Sequence, residues 1–179
     1  MLRRNLLRGK SPLAAFRHDR RAATAVEFAL IALPFFAVIL AILETAIIYF
    51  ADNALDTATN DAARLVRTGQ AQAQKFDATA FRDQICASVT PLLACSGLKI
   101  DVRTSADFSG AGLAPPLKAD GTVDVSKLKY DAGHGKDIVV VRAYYEWPAV
   151  LNLLSKNSTA NGTYLLASIT AFRNEPFTW

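Results

Sequence analysis

Histidine and cysteine are scarce in this chain: two of each among 179 residues, and one histidine, His18, sits in the N-terminal tail. The two cysteines, Cys86 and Cys95, enclose eight residues, whereas zinc-binding pairs sit two to four apart and need a second pair. The remaining histidine, His134, lies in the turn Asp131-Ala132-Gly133-His134-Gly135. A Gly-x-Ser-x-Gly elbow, a His-Glu-x-x-His helix and a Walker-type phosphate loop are all absent, so no catalytic residue, metal site or cofactor is implied. The length suits one domain plus an anchor and excludes a large multidomain enzyme.

Charge is thin and unevenly placed. Residues 1–22 carry seven Lys or Arg (Arg3, Arg4, Arg8, Lys10, Arg17, Arg20, Arg21) against Asp19, a net of +6, and the remaining residues balance at −2. The overall +4 and the pI of 9.2 therefore describe a short tail, not the folded basic surface that nucleic-acid binding requires. No nucleic-acid partner is expected.

What the chain does have is a long apolar run. Phe28 to Leu43 holds sixteen uncharged residues and continues beyond Glu44 through Thr45 to Ala51. A bilayer core about 30 Å thick takes roughly 20 helical residues, so this stretch can span it. Glu27 and Glu44 would stand about 25 Å apart along that helix, each near an interface. The basic tail places residues 1–22 in the cytoplasm and everything after about Phe50 across the membrane. A cleaved secretory signal would have a shorter apolar core and a small-x-small site. Pro34 removes a backbone hydrogen bond and should kink the helix near Leu30 to Pro34, as an ordinary membrane-helix proline or as a hinge.

The helical period persists past the apolar run. Ala51, Leu55, Ala58, Ala62, Leu65 and Val66 share one face, and Gly69 supplies a stop. One helix of about 45 residues results, roughly 68 Å long, whose outer half must pack against its own domain, against neighbouring subunits, or both.

Residues 70–179 read as a compact α+β domain. Lys75 to Leu93 has helical spacing and ends or kinks at Pro91; Leu98–Thr104 alternates as a half-buried strand, Asp137–Trp147 is a more buried strand, and Tyr164–Arg173 completes the set. Ser105 to Gly135 is rich in Gly, Pro and Asp and reads as a long loop with a short strand near Val123 to Tyr130. An antiparallel sheet of three or four strands on helices is the economical fold. On the outward side of a membrane Cys86 and Cys95 should oxidise to a bridge; two buried free thiols are the alternative. Asn157-Ser158-Thr159 and Asn161-Gly162-Thr163 fit glycosylation sequons but are also ordinary turn sequences.

The segment Arg20-Arg21-Ala22-Ala23-Thr24-Ala25-Val26-Glu27-Phe28-Ala29-Leu30 joins a basic leader to small residues, then one acid followed by an aromatic, then the apolar helix. It resembles the processing region of type IV prepilins and pseudopilins, in which a membrane peptidase cuts after a small residue and leaves glutamate as the fifth residue of the mature chain. Within that group the chain is most similar to the TadE-like proteins of tight-adherence (Tad) pilus systems, through Val26 to Leu30, Pro34, Glu44 and Ala62-Ala63-Arg64. Tyr144 to Pro148 and Ala171 to Pro176 also look like segments of TadE-like chains.

The resemblance implies a cut between Ala22 and Ala23, with Glu27 fifth and Phe28 beside it. The family prefers Gly where Ala22 stands. It implies a pilin-like fold with three parts: a basic cytoplasmic leader (1–22), a transmembrane and extended amphipathic helix (23–69), and a periplasmic α+β domain (70–179). Its partners would be the prepilin peptidase, other pilins or pseudopilins, inner-membrane assembly proteins and membrane lipid. A carboxylate at Glu27 is costly inside an apolar helix unless a cation meets it, and the new amine on Ala23 of a neighbouring subunit could do so; an acid snorkelling to the interface is the other reading. Three functions follow: a structural minor pilin or pseudopilin, an uncleaved bitopic scaffold of the pilus apparatus, or a membrane-anchored periplasmic enzyme or ligand-binding domain.

Overall fold

The computed structural model describes residues 20–110, 112, 114–148 and 162–178. Both sequons begin outside these residues, as does most of the basic leader. The chain divides into two units, Met1–Leu43 and Glu44–Trp179.

The first unit contributes the beginning of helix α1, Arg20–Arg67, which continues through Pro34 without interruption. In the second unit α1 turns its small and apolar positions inward. Ala51, Leu55, Ala58, Ala62 and Val66 are all buried, and Leu65 packs on the same core. Gly69 ends the run at φ +79, a left-handed conformation open to glycine at little cost, and its N–H donates to the Val66 carbonyl at 3.1 Å.

A four-residue helix, α2 (Gln70–Ala73), follows. The next helix, α3, spans Ala78–Val89, shorter at both ends than the spacing from Lys75 to Leu93 predicts. The physical reason is local. Lys75 takes φ +54, which helices exclude, and Asp77 caps α3 by accepting the Ala80 N–H at 2.7 Å. Thr90 leaves the helix in extended backbone just before Pro91, where αR is disfavoured. Phe81, Ile85 and Val89 form the buried stripe of α3.

Three strands make one antiparallel sheet in the order β1-β2-β3: β1 Leu98–Ser105, β2 Ile138–Pro148 and β3 Thr163–Arg173. Each lies within one residue of the range its alternation indicates. Val102, Val139, Val141, Ala143, Tyr145 and Leu166 join the α1 and α3 stripes in a single apolar core. The fold is therefore α+β, a long apolar N-terminal helix on a small antiparallel sheet.

The expected strand near Val123 to Tyr130 is not formed. In its place are single bridges, Leu117 with Val123 and Val102 with Tyr130, on either side of a 3-10 turn at Val125–Lys127. Asp124 favours the turn by accepting the Ser126 N–H at 3.2 Å, and the short-range acceptor competes with a ladder. Tyr130 packs on Phe81 with ring centroids 5.6 Å apart, and burial, followed by the nearby Asp77 charge, pushes its hydroxyl up to about 12.

The loop between β1 and β2 covers the sheet face opposite the helices, so β2 is buried on both sides from Ile138 to Tyr145. Beneath it Asp101, fully buried, stands opposite Arg142 in register. Its carboxylate accepts from Arg142 Nη1 at 2.9 Å, Arg103 Nε at 2.8 Å and the Lys129 N–H at 2.8 Å. The guanidinium groups reach the loop in turn, Arg142 donating to the Gly112 carbonyl and Arg103 to that of Lys127. At the same face Glu146 accepts from Lys99 Nζ at 2.5 Å and from the Val123 N–H at 3.2 Å. Burial raises the Glu146 carboxyl, but these donors outweigh it and hold it below its ordinary range.

Cys86 of α3 and Cys95 of the following 3-10 turn are joined by a disulfide across a Cα separation of 5.6 Å. The bridge ties α3 to the start of β1. Closing so short a loop restrains the unfolded chain by about 2–3 kcal/mol. Reducing the bridge in the detergent-solubilised full-length protein should lower its urea stability by that amount; an unchanged unfolding midpoint would contradict this.

Candidate functional site

The feature that sets this molecule apart is the surface of α1 itself. From Val26 to Phe50 most of its large apolar side chains are open: Phe28 and Leu30 are each 70% exposed and Leu33 is 75% exposed, and Ile39 and Ile48 are half-buried. Phe35 and Phe36 meet edge to face with centroids 5.5 Å apart, yet remain more than half exposed. One position beyond Phe50 the pattern inverts, with Ala51 and Leu55 at 0%. Large open apolar patches are rare on water-soluble monomers and mark a lipid or protein contact. Among the described residues this is the one helix long and apolar enough to cross a membrane.

The residues singled out in the sequence fall at the beginning of this helix. The Ala22–Ala23 bond lies in its first turn, and Ala23 is exposed. Glu27 follows four residues later, one turn on and on the same side, and is exposed beside Phe28. Ala23, Glu27 and Phe28 thus share one short stretch of open surface, while the disulfide belongs to the other unit.

Two groups of contacts that the sequence does not locate hold the second unit together. Asp56 of α1 accepts from the Ser168 hydroxyl of β3 at 2.7 Å. After β3 the Glu175 N–H donates to the Arg67 carbonyl at 2.9 Å, which satisfies one of the orphan acceptors at the end of α1. Asn174, buried, donates to the carbonyls of Ala132 and His134 at 3.0 and 2.9 Å. The Phe177 ring lies over Gly69, where a Cβ would come within 2.7 Å of it. Asn174 and Glu175 fall within Ala171 to Pro176, a segment the sequence singles out, but nothing in it says which residues they meet.

Among the described residues no three His, Cys, Asp or Glu side chains converge on a point where a metal ion could sit. What the arrangement offers is an apolar rod with an acid near its beginning and a stapled sheet domain following it. That is the pilin-like class of α+β arrangement. The family model described as TadE-like protein matches residues 22–64, and over this segment the chain is similar to the TadE-like family. The match covers Ala22, Ala23, Glu27, Phe28, Pro34, Glu44 and Ala62-Ala63-Arg64, and stops before the segments at 144–148 and 171–176. No curated protein and no solved structure matches the chain.

Proposed function

We propose that the protein is a minor pilin or pseudopilin that takes part in assembling a Tad-type pilus, with a structural and non-catalytic role. The observation that carries this is the inversion of exposure along α1, open from Val26 to Phe50 and buried from Ala51. A helix that keeps its large side chains outside its own core needs lipid or other subunits around it. In this reading residues 1–22 are a cytoplasmic leader, residues 23–69 cross the inner membrane and extend beyond it, and residues 70–179 form the periplasmic domain. The Cys86–Cys95 bridge suits an oxidising compartment. The partners are the prepilin peptidase, other pilins or pseudopilins with their inner-membrane assembly proteins, and membrane lipid.

The peptidase would cut between Ala22 and Ala23 and make Glu27 the fifth residue. In membranes from cells with the peptidase, the intact mass and N-terminal sequence should show a chain beginning at Ala23; without it, residues 1–22 should be retained. A second reading, an uncleaved bitopic scaffold of the same apparatus, is favoured by Ala22, whose methyl group stands where the family prefers glycine. Retention of residues 1–22 in both strains would select that reading.

A further inference from the structure

We propose that the end of the sheet carrying Trp147 and Tyr164 rests in the headgroup layer of the bilayer, so that the domain meets lipid at a second place besides the span of α1. The proposal rests on the membrane-anchoring reading above.

Two hydrogen bonds fix how β3 runs beside α1. Ser168 bonds Asp56 at 2.7 Å, and just past the end of β3 the Glu175 N–H bonds the Arg67 carbonyl at 2.9 Å, so seven residues on one side accompany eleven on the other and strand and helix ascend together at an angle. Moving back from Ser168, Tyr164 is four residues earlier, about 13 Å at the rise of a strand. At the ratio those two bonds set, eleven helical residues to seven, this corresponds to about six residues back from Asp56, the level of Phe50. That level lies inside the apolar run, which continues to Ala51.

Trp147 and Tyr164 are register partners across β2 and β3, and Tyr145 stacks beside Trp147 with centroids 6.3 Å apart. Trp147, Tyr164 and Ile48 are all only partly buried against the core. On the helix at the same level Tyr49 and Phe50 are 66% and 65% exposed. Tryptophan and tyrosine concentrate where a membrane meets water, because the ring prefers the acyl boundary while its polar atom stays hydrated. The occupant is lipid rather than protein because, within the second unit, this aromatic end stands level with the exposed Tyr49 and Phe50, at the close of the apolar run that spans the bilayer.

The full chain carrying Trp179→Phe has Trp147 as its one tryptophan. Reconstituted into phosphatidylcholine vesicles, its fluorescence should fall about twofold when the acyl chains are brominated near the glycerol. A parallel chain with Trp147→Phe, Trp179→Phe and Phe36→Trp, in vesicles whose acyl chains are brominated near their ends, reports on the span itself. Quenching at position 36 without quenching at Trp147 overturns the proposal and leaves the anchor standing. Trp147 shielded from aqueous acrylamide yet unquenched by bromolipid points to a protein neighbour and also overturns it. If neither position is quenched, the anchor and the proposal fall together.

Discussion

Substituting Glu27 by alanine or glutamine is expected to reduce surface pili by about tenfold or more while the protein still inserts in the membrane, since an unmet charge partner in an apolar setting is worth at least 1.4 kcal/mol. Glu27 follows Ala23 by one helical turn in a stretch otherwise made of small and apolar side chains. Under the proposed processing after Ala22, a free amine on Ala23 of an adjacent subunit would be the cation to meet the carboxylate and fix axial register. Glutamine keeps the size and loses the charge, so it separates register from packing. Sheared surface fractions and washed membranes, both probed for the protein, give the two readouts. Full piliation by Glu27→Gln would dismiss a register role for the acid.

Asp101→Ala is expected to be the most damaging single change to the domain, about 3–5 kcal/mol, because it breaks a buried ion pair and removes the acceptor of three donors at once. Arg142 is nearly as buried as Asp101, and the same carboxylate also holds Arg103 and the Lys129 N–H. Its loss therefore frees the covering loop as well as the sheet face. Asp101→Asn retains a carbonyl acceptor and should cost less. Asp83→Ala provides a reference: its ion pair with Arg82 at 3.0 Å is exposed, and its removal should stay within about 0.5 kcal/mol. Urea unfolding of the full-length protein in detergent orders the three variants, and an Asp101→Ala midpoint equal to that of Asp83→Ala would show that the buried pair is dispensable.

The long helix and the three strands are legible because burial follows a simple period. Ala51, Leu55, Ala58, Ala62 and Val66 repeat at helical steps, and Leu98, Ile100 and Val102 alternate, so the core face follows in both cases. Asp101 shows where periodicity stops being informative. Its place between Ile100 and Val102 marks it as the wet side of a half-buried strand, yet it is fully buried. Whether the second face of a sheet is wet depends on what folds over it, and a loop lacks the regular pattern that would announce the covering. The turn at Val125–Lys127 has the same origin: Asp124 captures a neighbouring N–H that a strand would have used. The start of α1 is legible for a different reason. A leader, small residues, an acid and an aromatic stand consecutively, so no tertiary contact has to be inferred.

The Asp56–Ser168 contact joins residues 112 positions apart in the chain. Such a distant closure is slow compared with helix formation. Ribosomal synthesis delivers α1 first and β3 late, so the inward stripe of α1 stays uncovered until nearly all of the polypeptide has emerged. During that interval a nascent molecule would display apolar surface on both halves of one rod, and a chaperone or a sister subunit would have its widest opportunity to bind.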